Sequence, residues 1–385
     1  MKDTSPIFSP SEPGGFAWLT RAFSPQGGML RLSDDLWTTV EPLLDAHRVA
    51  GLLNDRIQNG FIEASLRVQF NLAARLARWT EATREWPALA GGILDAFQSR
   101  DIPCLVLKGW ALIPLVYDGR RELREVNDLD LLIPRSHLQA ADAALLEAGF
   151  SIPPQAEVWP GFAHRYSHEA LYARRCGTRR PMGVDLHWQA MGSPQLWSRV
   201  GHDWFGRARE VVWEGRRMRV PAAEDLFLHL CGHEVIDHAR DAEPLLYRFI
   251  DLQRLAALPS FSWATLQELA CDSSLTGALR SRIEALHGLW PEMIPEGVLD
   301  SCRRLPVGPA EREAMREALS RTHALRPSPG LRWIPGWGAR LRYFFGKLFP
   351  SLSFLRAVYR LPPKASYIEG LLARYGTRMK TLMRT

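Results

Sequence analysis

The chain has 385 residues, of which 46% are hydrophobic and 23% are charged, as in ordinary globular proteins. It contains no run of 18 apolar residues, so the sequence predicts no transmembrane helix. The net charge of +6 is unevenly distributed, because residues 321–385 hold 13 of the 48 Lys and Arg residues but only one of the 42 Asp and Glu residues. A tail this basic indicates an anionic partner, or packing against a more acidic body.

Two features of the sequence favour a cytoplasmic protein. The opening stretch, MKDTSPIFSPSEPGG, lacks the apolar core of a signal peptide, and residues 1–30 are predicted to form a disordered lead. The five cysteines are far apart, odd in number and without a CxxC pair, which favours reduced thiols over a disulfide framework.

Residues 31–100 are predicted to form an N-terminal helical region. Apolar residues recur at helical spacing in SDDLWTTVEPLLDAHRVAGLLNDRI and in GFIEASLRVQFNLAARLARWTEATREW, and PALAGGILDAFQSRD adds one more helix. Ser33 is the expected N-cap of the first of these, with Asp34 and Asp35 in the first turn.

Residues 101–220 are predicted to form an α+β core with a small mixed sheet. IPCLVLK and DLDLLI have the composition of buried strands, and the short helix GWALIPLVY between them is limited by Pro114. An amphipathic helix, PRSHLQAADAALLEAGF, follows. HEALYARR and GVDLHWQA are then predicted as two antiparallel strands.

Two carboxylates lie on one face of the second predicted strand. Because strand side chains alternate, Asp128 and Asp130 point one way while Leu129 and Leu131 point the other. Such a pair repels unless a cation lies between, and Mg²⁺ prefers carboxylate oxygens. Asp185 stands in a third apolar strand, and if the two strands pair, three carboxylates converge as two-metal phosphoryl or nucleotidyl transfer requires. The sequence therefore predicts a Mg²⁺ or Mn²⁺ site.

The turn between the first strand and its helix is a candidate phosphate site. Lys108 and Gly109 place backbone N–H groups and a helix N-terminus where an anion can bind. Gly109 allows a phosphate to approach the backbone closely, and Lys108 adds a positive charge.

Residues 221–322 are predicted to form a helical domain, beginning with AAEDLFLHLCGHEVIDHARD and EPLLYRFIDLQRLAAL. His229 and His233 share a helix face, but the segment lacks the HExxH pattern of zinc proteases. We expect His233 or His238 to face the cleft above the sheet. Asp251 either contacts the same cleft or forms a salt bridge on the helix surface.

Four segments, LKGWALIPLVY, LREVNDLDLLI, VDLHW and EDLFLHLCGHEVIDH, resemble a bacterial family of uncharacterised nucleotidyltransferases within the polymerase-beta-like superfamily. The resemblance covers about residues 40–260. It implies that Asp128 and Asp130 bind both metals, and that Asp185 holds the catalytic metal and helps deprotonate the attacking hydroxyl. Arg124, four residues before the first Asp, would pair with phosphate or lock its loop onto the carboxylates.

The chain also departs from the wider superfamily, whose phosphate-binding turn is Gly-Ser. Here Lys108, Gly109 and Trp110 occupy that turn, so a nucleotide is expected to be held differently. His187 and His233 are expected just outside the metal ligands, although an ordinary core histidine is the alternative for His187.

Residues 323–385 form a basic, aromatic C-terminal region. LRWIPGWGARLRYFFGKLFPSLSFLRAVYRLPPK interleaves Arg and Lys with Trp, Phe and Tyr. Three interpretations remain open: a helical subdomain docked on the body, contact of residues 325–385 with an anionic membrane surface, or stacking on single-stranded nucleic acid.

These features predict a metal-dependent nucleotidyltransferase that moves a nucleoside monophosphate from a nucleoside triphosphate (NTP) to an unidentified acceptor hydroxyl. One alternative is phosphoryl transfer to a small molecule or peptide, which the same metal site would serve. Another is a non-catalytic scaffold with the nucleotidyltransferase fold, whose basic tail binds a membrane surface or nucleic acid.

Overall fold

The computed structural model describes residues 14–177, 179–201, 203–239, 245–320 and 333–382. This part of the chain is mainly helical, with a four-stranded sheet near the middle of the sequence. The elements before that sheet are α1 (Gly15–Ala22), β1 (Leu30–Leu32), α2 (Asp34–His47), α3 (Ala50–Gln58), β2 (Ile62–Ala64), α4 (Leu66–Ala82) and α5 (Trp86–Gln98). β1 and β2 form a separate parallel pair.

Helix α2 begins where the sequence predicts it. The Ser33 side chain accepts a hydrogen bond from the Leu36 backbone N–H, and Asp34 and Asp35 occupy the first turn. An N-cap of this kind satisfies one of the free N–H groups at a helix start, and the two acids complement the helix dipole.

Residues 14–30 differ from the disordered lead predicted over residues 1–30. Helix α1 buries Leu19 completely, and α1 crosses α2 so closely that a Cβ on Gly15 would lie 2.4 Å from an α2 backbone oxygen. The helix was not predicted because its short apolar run, FAWL, is flanked by Pro and Gly residues that are typical of disordered segments. This run makes the helix amphipathic. Residues 1–13 lie outside the described residues.

The central sheet has the strand order β3-β4-β6-β5. Strands β4 and β6 are parallel, whereas β3 pairs with β4 and β5 pairs with β6 in antiparallel fashion. The predicted α+β class with a small mixed sheet is therefore confirmed. The strands are β3 (Leu105–Val106), β4 (Asp128–Leu132), β5 (Glu169–Cys176) and β6 (Arg179–His187).

Helices connect β3 to β4 and β4 to β5, and a second hairpin, which the sequence patterns did not reveal, follows the sheet. The elements are α6 (Lys108–Val116), α7 (Leu138–Glu147), α8 (Phe162–Tyr166), α9 (Trp204–Arg207), β7 (Arg209–Trp213) and β8 (Arg216–Val220). The later helices are α10 (Ala223–Gly232), α11 (Leu246–Ala256), α12 (Trp263–Asp272), α13 (Thr276–Leu289), α14 (Val298–Arg304), α15 (Pro309–Ser320), α16 (Trp337–Leu348), α17 (Leu352–Val358) and α18 (Tyr367–Leu382).

The helix predicted over residues 222–241 is interrupted. Helix α10 ends at Gly232, and His233–Asp237 forms a π-helical turn. Such wide turns are rare and occur often at functional sites.

One hydrophobic cluster runs from Leu19 to Ala318 and joins the helices before and after the sheet. A second, small cluster holds the C-terminal helices against the segment before β5, through Val158, Phe162, Ile334 and Tyr343. The predicted domain boundaries remain predictions. None of the described helices is both long and apolar enough to cross a membrane.

Candidate active site

The parallel pairing of β4 and β6 brings the predicted carboxylates together. Asp130 lies directly opposite Asp185 in the register, and Asp128 lies opposite Gly183. Donor atoms of Asp130, Asp185 and His187 lie within 4.8 Å of one another. Because side chains two residues apart on a strand share a face, Asp128 also lines the same cleft.

Lys108 occupies the first position of α6 and contacts this cluster. Its Nζ donates a hydrogen bond of 2.6 Å to Asp130 Oδ1. Burial by itself lowers the pKa of Lys108, but the Asp130 carboxylate outweighs burial, and the net effect raises the pKa. Lys108 is therefore a charged ammonium that neutralises Asp130.

Packing restricts the residue at position 109. A Cβ at this position would lie 2.6 Å from Val126 Cγ1, so a larger residue would push the loop before β4 away from α6. Gly109 still lines the cleft beside Lys108, where the sequence places it.

His187 bridges two carboxylates, one of which sequence reasoning missed. Its Nε2 lies 3.1 Å from Asp130 Oδ1, and its Nδ1 lies 3.1 Å from Glu169 Oε2. His168 Nε2 is 3.2 Å from the same Glu169 oxygen. Glu169 faces His187 across the β5–β6 pairing, so the acid at the second position of HEALYARR was the available signal.

Arg124 is buried and bound to α11. Its Nε donates to both carboxylate oxygens of Asp251, at 2.9 and 3.0 Å, and its guanidinium lies 4.2 Å above the Tyr247 ring. Tyr117 Oη donates to the same carboxylate at 2.6 Å. Of the two expected roles for Arg124, these contacts favour locking the loop, and the anchor is Asp251 rather than the β4 carboxylates.

The wall opposite the sheet carries histidines. His233, which begins the π-helical turn, and His238, which follows it, both line the cleft, where the sequence led us to expect one or the other. His229 is fully buried, and neither of its ring nitrogens has a hydrogen-bond partner among the described residues. Burial, and secondarily the positive Lys108, lowers the pKa of His233 well below its usual value, so its imidazole is neutral.

The cleft between these walls has a volume of about 320 Å³. Besides the acids and histidines, it is bordered by positively charged groups that suit a polyphosphate: Arg48, Lys108, Arg124 and Arg248. The site thus combines clustered carboxylates with cations in one concave space.

The carboxylates of the cluster differ in their proton affinity. Burial, with repulsion from Asp130, raises the pKa of Asp128 to about 6. Burial, with repulsion from Asp130 and Asp128, raises the pKa of Asp185 to about 8. Burial opposes ionisation of Asp130 as well, but Lys108 and His187 hold its pKa below the usual range. With all three carboxylates ionised, the cluster would carry more negative charge than its protein partners neutralise, and its oxygen donors fit a hard divalent cation.

A small mixed sheet with carboxylates on adjacent parallel strands, facing a basic cleft, agrees with a nucleotidyltransferase fold. Residues 33–290 match the model of the family described as "Uncharacterised nucleotidyltransferase", and the chain belongs to that family. The resemblance seen in the sequence is thereby confirmed.

Two solved structures show weaker likeness. The solution structure of the antibiotic-resistance factor ANT(2″)-Ia is 20% identical over 55% of this chain and 97% of that one, with a TM-score of 0.34. The crystal structure of ANT(2″)-Ia in complex with adenylyl-2″-tobramycin is 19% identical over 51% and 97%, also with a TM-score of 0.34. Neither likeness is close enough to support a conclusion about this chain. A search of curated proteins found no match.

Proposed function

We propose that the protein transfers a nucleoside monophosphate from an NTP to an acceptor hydroxyl and releases pyrophosphate. The observation that carries this proposal is the pairing of Asp130 with Asp185 across two parallel strands, with Asp128 two residues away in the same cleft. Membership of a nucleotidyltransferase family supports the reaction class.

Asp128, Asp130 and Asp185 would hold Mg²⁺ or Mn²⁺, since donor atoms of Asp130 and Asp185 lie within 4.8 Å of each other and Asp128 lines the same cleft. When bound, such ions neutralise the charge on the triphosphate and on the leaving pyrophosphate. His187 and Glu169 orient the Asp130 carboxylate from behind, as supporting groups of metal ligands commonly do.

The remaining steps use groups of the chain. The acceptor oxygen bonds to the α-phosphorus, the bond from that phosphorus to the bridging oxygen breaks, and the hydroxyl proton passes to Asp185 in its ionised form. Lys108, Arg48 and Arg248, which border the cleft, pair with the triphosphate oxygens. Arg124 positions the loop before β4 through Asp251, and His233 borders the space left for the acceptor.

Calorimetric titration with Mg²⁺ and each NTP tests the proposal. Wild-type protein is expected to bind NTP only with the metal, and the variant Asp128→Asn/Asp130→Asn is expected to lose that binding at least about 100-fold. Asp300→Asn, on exposed α14, is the matched control. Metal-dependent binding that survives the double substitution would overturn the site assignment.

A second candidate, the non-catalytic scaffold, is favoured by one contact, because Lys108 already neutralises Asp130 without an ion. Incubating the protein with α-labelled NTPs and cell extract separates the two candidates. Metal-dependent labelling of an acceptor, absent from the double Asn variant, supports transfer, whereas NTP binding without any labelling supports the scaffold.

We further infer that the protein works in the reducing cytoplasm. All five cysteines are free thiols, and three of them, Cys176, Cys231 and Cys302, are buried. Unpaired thiols in these numbers suit a compartment in which disulfides do not persist.

A further inference from the structure

Helix α16 has two apolar faces, and one of them is used inside the protein. Tyr343 is buried and stacks on Phe162, with ring centroids 5.4 Å apart. A Cβ on Gly346 would lie 1.9 Å from Trp159 Nε1, so the helix backbone touches this ring directly. This inner face fixes α16 on the segment before β5.

The other face of α16 is exposed to solvent. Trp337, Leu341, Phe344 and Phe345 are 78%, 52%, 50% and 53% exposed. Their spacing of four, seven and eight residues from Trp337 places them on one side of a helix, and we call this set the outer stripe. Phe349 continues it, since its ring stacks with that of Phe345 and is 53% exposed.

Basic residues border the outer stripe on both sides. Arg340 and Arg342 lie on opposite edges of the stripe at helical spacing, and Arg342 is exposed. The single acid between residues 321 and 385 is Glu369. A second exposed pair, Ile368 and Leu372, lies on α18. The region therefore presents large apolar side chains in a positive field.

Three kinds of partner deserve comparison with this surface. A second copy of the chain would place the flanking arginines against each other, which like charges disfavour. Proteins bind single-stranded nucleic acid in a basic groove that follows the phosphate backbone, where aromatic side chains stack on the bases. The outer stripe, by contrast, lies on the convex surface of a helix. An anionic lipid surface suits both the apolar stripe and its basic flanks. Trp, Leu and Phe insert at the boundary between head groups and acyl chains, and the anionic head groups attract Arg.

We propose that α16 lies in the plane of an anionic membrane surface, with the outer stripe inserted at the boundary between head groups and acyl chains. The helix has 12 residues, so it is about 18 Å long and suits an interfacial position rather than a spanning one. The proposal is independent of the reaction in the cleft.

Flotation with lipid vesicles tests this proposal on the full-length protein. Vesicles of phosphatidylcholine with about 30% phosphatidylglycerol are expected to carry the protein, and pure phosphatidylcholine vesicles are expected to carry much less. The variant Trp337→Ser/Phe344→Ser/Phe345→Ser is expected to bind the anionic vesicles at least about tenfold more weakly, and raised salt is expected to weaken wild-type binding.

The matched control is Leu66→Ser/Phe70→Ser, which removes two comparably exposed apolar side chains from α4. It should bind like the wild type, and circular dichroism should show unchanged helix content in both variants. Equal binding to neutral and anionic vesicles, or an undiminished triple variant, would overturn the proposal. If vesicle binding is absent, two other results would also overturn the proposal. One is binding of single-stranded DNA that the triple variant loses, and the other is concentration-dependent dimerisation in light scattering that the triple variant loses.

Discussion

Lys108 adopts a left-handed backbone conformation, with φ of +49°, where β3 leads into α6. A residue with a Cβ in this region carries about 1 kcal/mol or more of strain, which surrounding contacts must offset. Here the turn directs the ammonium onto Asp130, 2.6 Å away. The Lys108 ammonium therefore occupies a position beside Asp130 where a divalent ion would otherwise neutralise the same carboxylate.

Replacing this lysine therefore changes ion binding in a defined direction. Lys108→Met removes the competing charge, so affinity for Mn²⁺ without nucleotide should rise about tenfold, while affinity for NTP should fall. Electron paramagnetic resonance of free Mn²⁺ measures the first effect. Lys364→Met, at an exposed position, is the control. Unchanged or weaker Mn²⁺ binding in Lys108→Met would show that lysine and metal do not share the Asp130 carboxylate.

The buried His229 is expected to make the free energy of unfolding depend on pH. Burial, with the nearby positive Lys108, lowers its pKa to about 3. The unfolded chain, with an ordinary histidine, binds a proton below pH 6.5, so stability falls as pH decreases from about 6.5 toward 3. Between pH 6.5 and 5 the loss is about 2 kcal/mol for this one group.

His229→Leu removes this titration. Urea unfolding at pH 7 and pH 5 should show a smaller loss of stability in the variant than in the wild type, by about 2 kcal/mol. His137→Leu, at a half-buried surface position, should leave the wild-type difference unchanged. Equal pH dependence in His229→Leu and wild type would mean that this histidine is protonated in the folded protein.

At the scale of the elements, the loop before β4 is tied to α11 through charges. Arg124 and Asp251 are both almost completely buried, and Tyr117 shares the carboxylate. Removing one partner of a buried pair leaves an uncompensated charge, whereas replacing both by apolar residues is far less costly.

Asp251→Ala should therefore lower the free energy of unfolding by about 3–5 kcal/mol. The double variant Arg124→Met/Asp251→Leu should recover most of that loss, and urea denaturation measures both. Because the single substitution also loosens the loop that leads into Asp128, transfer should decline with it. If the double variant were as unstable as the single one, packing rather than charge would explain how the loop before β4 is held on α11.

The sequence allowed the strand carboxylates to be predicted, because alternation along β4 and β6 requires no knowledge of distant contacts. It did not reveal that Arg124 binds Asp251, since 127 positions separate them and many arginines are candidates. Glu169 was missed because its role depends on the β5–β6 register. The π-helical turn was missed because LFLHLCGHEVIDH keeps a helical pattern through it.

At the scale of the whole molecule, the two proposed functions belong to different parts of the chain. The family match ends at residue 290, and the outer stripe begins at Trp337. Chemistry in the cleft and attachment at a surface can therefore be altered separately by substitution.

The contact between α16 and the segment before β5 bears on how the protein can be shortened. A chain cut before residue 333 would lose Ile334 and Tyr343 and would bare Val158, Phe162 and the Trp159 ring. Those side chains lie in the segment before β5. A truncated protein would thus expose an apolar patch, and its aggregation could be mistaken for the loss of a binding partner.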